Sequence, residues 1–356
     1  MFGALRLFLS FLVVISHLMG NAYFTHFGFY AVRGFFVLSG FIITAGLNEI
    51  YRFDGVRFWA NRLLRLLPIY YVVCLATLVA IAFLPNETGE FLSTWKFDAR
   101  EGSDVLMNLL VLPLQFGEPT FRLLPPYWSI AVEIEMYLLL WIVIARREAY
   151  AAVALAVGIS YHLACMFDGL DWQTRYFAPP SALLSFALGA LLYFWRKRGW
   201  LDVGPGTACV ALAAWMANMM AGGLIFSTSY IYDIGYYLSA VFFFFVAAGL
   251  ARGTSSPVTQ KIDHALGELA YPVFIAQWVV SFAVWITLVP DRSRGLMLTA
   301  IATPAILLVA YGIAWLGRRY VDPLRTSVRG FSIEHFNSPA ENATLVAGRL
   351  REDALK

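Results

Sequence analysis

Ten apolar runs of 17 to 23 residues recur along the chain, near 4–20, 28–47, 66–84, 127–145, 149–167, 179–195, 204–226, 233–251, 269–289 and 296–316. Each is long enough, or nearly so, to cross a ~30 Å hydrocarbon core as a helix. Nothing else in the sequence constrains the fold so strongly. A water-soluble globule of 356 residues, 60% hydrophobic and 14% charged, would expose large apolar patches and aggregate. The same composition excludes a disordered chain. The expected class is an all-α, polytopic integral membrane protein with about ten transmembrane helices. The first run contains Arg6 but lacks a cleavage site of small residues, so it reads as a retained helix rather than a signal peptide. A shorter run, 105–116, contains Pro113 and reads as an interfacial or re-entrant helix within the longest loop, 85–126.

The basic residues orient these spans. Nineteen of the 26 Lys and Arg fall on one side: Arg6, the 48–65 loop, Arg146, Arg147, Arg196, Lys197, Arg198, Arg252, Lys261 and the tail after 317. The positive-inside rule makes that side cytoplasmic and places both termini there. Residues 1–326 form the expected membrane domain, and 327–356 a polar cytoplasmic tail. The net charge of +3 gives no reason to expect nucleic acid. Cys74, Cys165 and Cys209 lie inside apolar runs and read as small packing residues. No His, Cys, Asp and Glu cluster has metal-ligand spacing, so no metal is expected.

Ionisable residues inside spans are costly, and each needs a reason. Arg6 and His17 are 11 residues apart, three helical turns plus about 20°, so they share one face about 16 Å apart along the axis. Arg6 suits a snorkelling anchor; His17 is the residue type that carries a proton near neutral pH. In the second span, Ser39 lies in a run of bulky and small residues that suits close helix packing, and Arg33 lies about five residues inside the outer boundary. In the fourth, Ser129, Glu133 and Tyr137 recur every four residues as one polar stripe, and Trp128 is an aromatic anchor or a site residue. Counted from the start of its run, Glu133 lies near the depth of His17, so His17 or Arg33 is its expected partner. Arg57, Arg62 and Arg65, entering the third span, suit either lipid headgroups or a phosphorylated cytosolic ligand, whose geometry guanidinium groups match bidentately.

Five stretches together resemble the bacterial membrane acyltransferase-3 family of polytopic O-acyltransferases. They are Arg6 and His17 at their spacing; FFVLSGFIIT (35–44); the Arg62, Arg65, Pro68, Tyr70 series; WSIAVEIEMY (128–137); and LGELAYPVFIAQW (266–278) with the closing Tyr320-Val321-Asp322-Pro323-Leu324-Arg325. The resemblance implies transfer of an acyl group, commonly acetyl, from acyl-CoA to a hydroxyl of a sugar or other envelope or exported acceptor. It implies a catalytic His17, with Arg6, Arg62 and Arg65 engaging the donor, and Trp128 and Glu133 helping to form the site. Arg33, Ser39, Ser129 and Tyr137 join Trp128 as candidate substrate contacts. Acyl-CoA is a co-substrate, with no permanently bound cofactor, and the expected location is the bacterial inner membrane. Three positions depart from the family's pattern: Arg33 where many members carry an acid, Gln277 where many carry His, and Asn61-Arg62 in place of an Arg-Arg pair. In the expected mechanism His17 is the general base and Glu133 orients or compensates its imidazolium. The competing reading is a transporter or exporter of a small or lipid-linked substrate, since buried ionisable residues also mark ion pathways. Against it, no inverted repeat is apparent.

Overall fold

The computed structural model describes residues 2–96, 107–111, 121–225, 229–253 and 256–329. The described residues contain α-, π- and 3-10 helices and no strand. The main helices are α1 (Phe2–Leu18), α2 (Ala22–Ala45), α3 (Gly55–Phe83), α4 (Pro85–Phe91), α5 (Tyr127–Ile142), α6 (Glu148–Phe167), α7 (Trp172–Phe177), α8 (Pro179–Lys197), α9 (Pro205–Ile225), α10 (Tyr236–Leu250), α11 (Pro257–Leu288), α12 (Leu296–Leu316) and α13 (Asp322–Arg329). The expected re-entrant run 105–116 and the tail beyond 329 lie largely outside the described residues.

Among the described residues, seven helical segments are long and apolar enough to cross a membrane: Ala22–Tyr51, Gly55–Phe83, Glu148–Phe167, Pro205–Ile225, Tyr230–Leu250, Pro257–Leu288 and Leu296–Val328. The other three expected runs are helical as well. However, α1 has 17 residues, α5 has 16, and α8 ends its 19 residues on Arg196 and Lys197. All three contribute heavily to the buried core. Helices enclosed by others need not match the bilayer thickness, because neighbours rather than lipid cover their ends.

Helices α1 and α2 form the centre. The α1 helix packs on α2 and α11, α2 also on α8 and α10, and α11 also on α12. Small residues allow these approaches, as expected where dispersion and close packing drive association in lipid. A Cβ added at Gly40 would lie 2.2 Å from the Phe186 carbonyl oxygen, and one at Gly189 2.1 Å from that of Val37. The α1–α11 seam is parallel and in register. Gly3 meets Asp263, Ser10 meets Ala270 and His17 meets Gln277, each pair 260 residues apart. Contacts seven residues apart on both helices are the pattern of a left-handed seam. At its base, Asp263 accepts backbone hydrogen bonds from Gly3 and Ala4, both at 3.0 Å, satisfying N–H groups left free at the start of α1. Outward faces carry exposed apolar side chains such as Leu75, Val210 and Leu308, which suits a lipid-facing perimeter. Cys74 and Cys165 are buried as expected, whereas Cys209 is on the exterior.

Candidate active site

A cavity of about 50 Å3 lies between α1, α2, α5 and α11, lined among others by Arg6, Ser39, Ser129, Glu133, Tyr271 and Phe274. The helical repeat puts Ser129 and Glu133 on one face of α5, and Tyr137 completes the stripe. Glu133 accepts a 2.9 Å hydrogen bond from Ser39 Oγ and a short one from the Tyr137 hydroxyl through the same carboxylate oxygen. Arg6 faces this carboxylate within electrostatic reach of Glu133, Tyr137 and Arg62.

The expected partnership of Glu133 with His17 or Arg33 is therefore corrected. Depth along the apolar run misplaces Glu133 because α5 starts inside the protein: Tyr127, Leu124 and Leu123 are all buried. Six residues further along, Glu133 has reached the level of Ser39, near the foot of α2, and of Arg6, near the foot of α1. Its hydroxyl donors and the Arg6 charge replace water around the carboxylate.

The basic residues gather beside this cavity. Arg65 lies within electrostatic reach of Arg6, Arg62 and Arg325. Arg62 is buried, its guanidinium 5.8–5.9 Å from the ring centroids of Tyr51, Phe58 and Tyr137, and its Nε has no hydrogen-bond partner. Arg325, on α13, donates to Asp322 at 2.5 Å and to Asn61 at 3.4 Å. Arg57 points elsewhere: it is exposed and pairs with Asp54 at 3.3 Å. Like charges held together in a poorly solvated place favour an anionic ligand.

His17 occupies the other end of α1. Its Nδ1 is 3.0 Å from Gln277 Oε1, and its ring lies against Trp278 at 4.9 Å between centroids. The Gln277 amide nitrogen donates to the Phe274 carbonyl at 2.8 Å. A carbonyl oxygen only accepts, so the NH2 must face Phe274 and the amide oxygen must face His17. Nδ1 then carries the imidazole proton, and Nε2 is left with its lone pair. Arg294, in the α11–α12 connection, donates to the Phe91 carbonyl at 2.5 Å and covers the rings of Phe91 and Trp278 at 5.0 and 5.1 Å. Burial lowers its pKa, the direction expected of a guanidinium drawn out of water.

Arg33 is in neither group. It is 3% exposed, donates to the Tyr236 hydroxyl, and sits 4.0 Å over the Tyr236 ring. Trp128 packs edge-on against Tyr176 and Phe177, at 5.0 and 4.8 Å. Of the candidates from sequence, Arg6, Ser39, Ser129, Glu133 and Tyr137 come together, with Arg62 and Arg65 beside them. His17 stands apart along α1, and Arg33 and Trp128 border an aromatic cluster. Sequence reasoning missed Tyr271, Arg325 and Arg294 as site neighbours. It marked Gln277 only as a departure, without a partner. No group of three or more His, Cys, Asp and Glu able to hold a metal occurs among the described residues.

A polytopic helical bundle thus holds a polar cavity beside a cluster of arginines, with a hydrogen-bonded histidine further along α1. The chain belongs to the acyltransferase-3 family: the family model described as an acyltransferase domain matches residues 2–317. Comparison with curated proteins and with solved structures finds no match.

Proposed function

We propose that this membrane acyltransferase uses acyl-CoA, commonly acetyl-CoA, and transfers the acyl group to a hydroxyl of a sugar or other envelope acceptor. Residues on one face of α1 serve both halves of the reaction. Arg62 and Arg65, with Arg6, hold the donor's phosphates, where guanidinium groups form bidentate charge-assisted bonds. His17 Nε2 takes the proton of the acceptor hydroxyl as the oxygen attacks the thioester carbonyl. The tetrahedral intermediate collapses with cleavage of the C–S bond, and the leaving thiolate receives that proton from His17. Gln277 keeps Nδ1 protonated throughout. Glu133 balances the charge of Arg6 and, with Ser39, Ser129 and Tyr137, shapes the cavity through which the acyl group passes. Trp128 and Arg33 border the acceptor side.

The observation that carries this reading is the contact of His17 with Gln277 inside a chain of this family. Most of the Lys and Arg lie on the side that carries Arg6, which supports cytoplasmic termini and a donor arriving from the cytosol in a bacterial inner membrane.

The test uses purified protein in proteoliposomes with acetyl-CoA and an envelope glycan extract, following release of CoA thiol and acetylation of the glycan by mass spectrometry. Coupled thiol release and glycan acetylation are expected from wild type, and neither from a folded His17→Ala variant. Full turnover in His17→Ala, or a substrate-dependent current without thiol release, would overturn the proposal, the second outcome in favour of an exporter.

A further inference from the structure

Arg33 and Arg175 are two buried cations; Asp233 pairs with Arg175, and the exposed Asp171 lies within electrostatic reach of Arg175. Arg175 is 7% exposed and donates to Asp233 at 2.7 Å. Its Nε and Nη1 have no hydrogen-bond partner, and neither have Nε and Nη2 of Arg33. The two side chains bracket the same place: Tyr236 lies under Arg33 and within electrostatic reach of Arg175. A lone cation this deep in a helical bundle is costly, and four unpartnered donors add to the cost.

Aromatic rings line the same region. Trp172 and Tyr176, both on α7, stack at 4.8 Å, and Tyr176 packs on Tyr236 and Trp128. Trp172 is only half-buried. The cluster also adjoins the cavity. Trp128 touches Phe36, and Phe36 and Ser129, the next residue on α5, both line the cavity. Aromatic faces bordered by fixed donors suit a ring with one apolar face and a polar rim, and the Arg33 charge, which donates to a tyrosine hydroxyl rather than a carboxylate, calls for an anion.

We infer that Arg33 and Arg175, behind the Trp172, Tyr176 and Tyr236 rings, bind the acceptor through a carboxylate or phosphate carried on a sugar. This rests on the acyltransferase reading above, and names the acceptor's chemical class.

Binding is measured on the purified full chain in detergent, with no acyl donor present, by quenching of tryptophan fluorescence. The probes are methyl glucuronide, glucose 1-phosphate, methyl glucoside and inorganic phosphate. Saturable binding of one charged sugar, at least about tenfold tighter than the neutral sugar or inorganic phosphate, is expected. Whichever charged sugar binds identifies the anion. Arg33→Gln and Arg175→Gln are each expected to weaken it about tenfold or more, and Arg33→Lys less. Trp172→Ala, on the half-buried ring, is expected to weaken the neutral part of the interaction.

Equal binding of charged and neutral sugars, no saturable binding of either charged sugar, or phosphate binding as tightly as glucose 1-phosphate would each overturn the inference. So would unchanged binding in the two folded glutamine variants. The wild-type comparison decides the matter if those variants do not fold. Since no donor is present, acyl transfer without charged-sugar binding refutes this inference alone. Charged-sugar binding without thiol release refutes the acyltransferase reading and leaves the site standing.

Discussion

Gln277 Oε1 faces His17 Nδ1 at 3.0 Å because the other end of the same amide is committed to the Phe274 carbonyl. One residue thereby determines which nitrogen of the histidine holds a proton. In Gln277→Leu that determination is lost while much of the packing volume is kept. A kcat lower by roughly 100-fold is expected, within the range of general-base contributions, with an unchanged KM for acyl-CoA. Gln277→Glu, which still presents an acceptor oxygen, is expected to retain more activity than Gln277→Leu. Steady-state kinetics with both substrates varied would check this, and a larger effect on donor KM than on kcat would contradict it.

Glu133 and Arg6 face each other across the cavity. In Glu133→Gln the amide oxygen still accepts from Ser39 and Tyr137, but Arg6 loses its countercharge. Thermal unfolding in detergent is expected at lower temperature, and Arg6→Gln in the same chain should recover part of the loss. A coupling of roughly 0.5–3 kcal/mol is expected for neighbours of this kind. Additive losses in the double variant would show that the two charges do not interact.

Arg62 and Arg65 face inward, whereas Arg57 is exposed and held by Asp54. Arg65→Ala and Arg62→Ala are expected to raise KM for acetyl-CoA by about 10–100-fold, corresponding to one lost charge-assisted hydrogen bond each. Their KM for an acetyl thioester of pantetheine lacking phosphates should not change. Arg57→Ala should behave as wild type, since an exposed ion pair contributes about 0–1 kcal/mol. Donor saturation curves with the two thioesters separate these outcomes.

The glycine contacts give a stability test. A Cβ at Gly189 would meet the α2 backbone at 2.1 Å, and one at Gly312 would meet nothing within 4 Å. Gly189→Ala is expected to destabilise the protein by about 1–3 kcal/mol, since the clash is with backbone and a shift of α2 against α8 is its only relief. Gly312→Ala, inside α12, should be neutral or stabilising by up to ~1 kcal/mol through helix propensity. Thermal or denaturant unfolding of both variants provides the comparison.

The sequence revealed the helices better than their neighbours. Every expected span coincides with a helix, because a long apolar run has few alternatives in lipid. The stripe of Ser129, Glu133 and Tyr137 was legible too, since α-helical spacing alone puts those side chains on one face. Which faces meet is a property of packing. The partner of Arg33 is Tyr236, 203 residues away, and that of His17 is Gln277, 260 away. Nothing in local spacing points to either. Glu133 illustrates a second limit. The edge of a hydrophobic run does not mark depth there, because α5 begins inside the bundle rather than at its rim.

The parallel seam between α1 and α11 has a consequence for biosynthesis. The α1 helix leaves the ribosome 260 residues ahead of the positions on α11 that it pairs with. Until Asp263, Ala270 and Gln277 have been translated, the opening amides of α1, the Ser10 hydroxyl and the His17 ring lack the partners they hold in the finished protein. Domains whose contacts are local can fold as they emerge. Here α1 must wait in the bilayer until 260 further residues have been made, and the surroundings of Ser10 and His17 are completed only then.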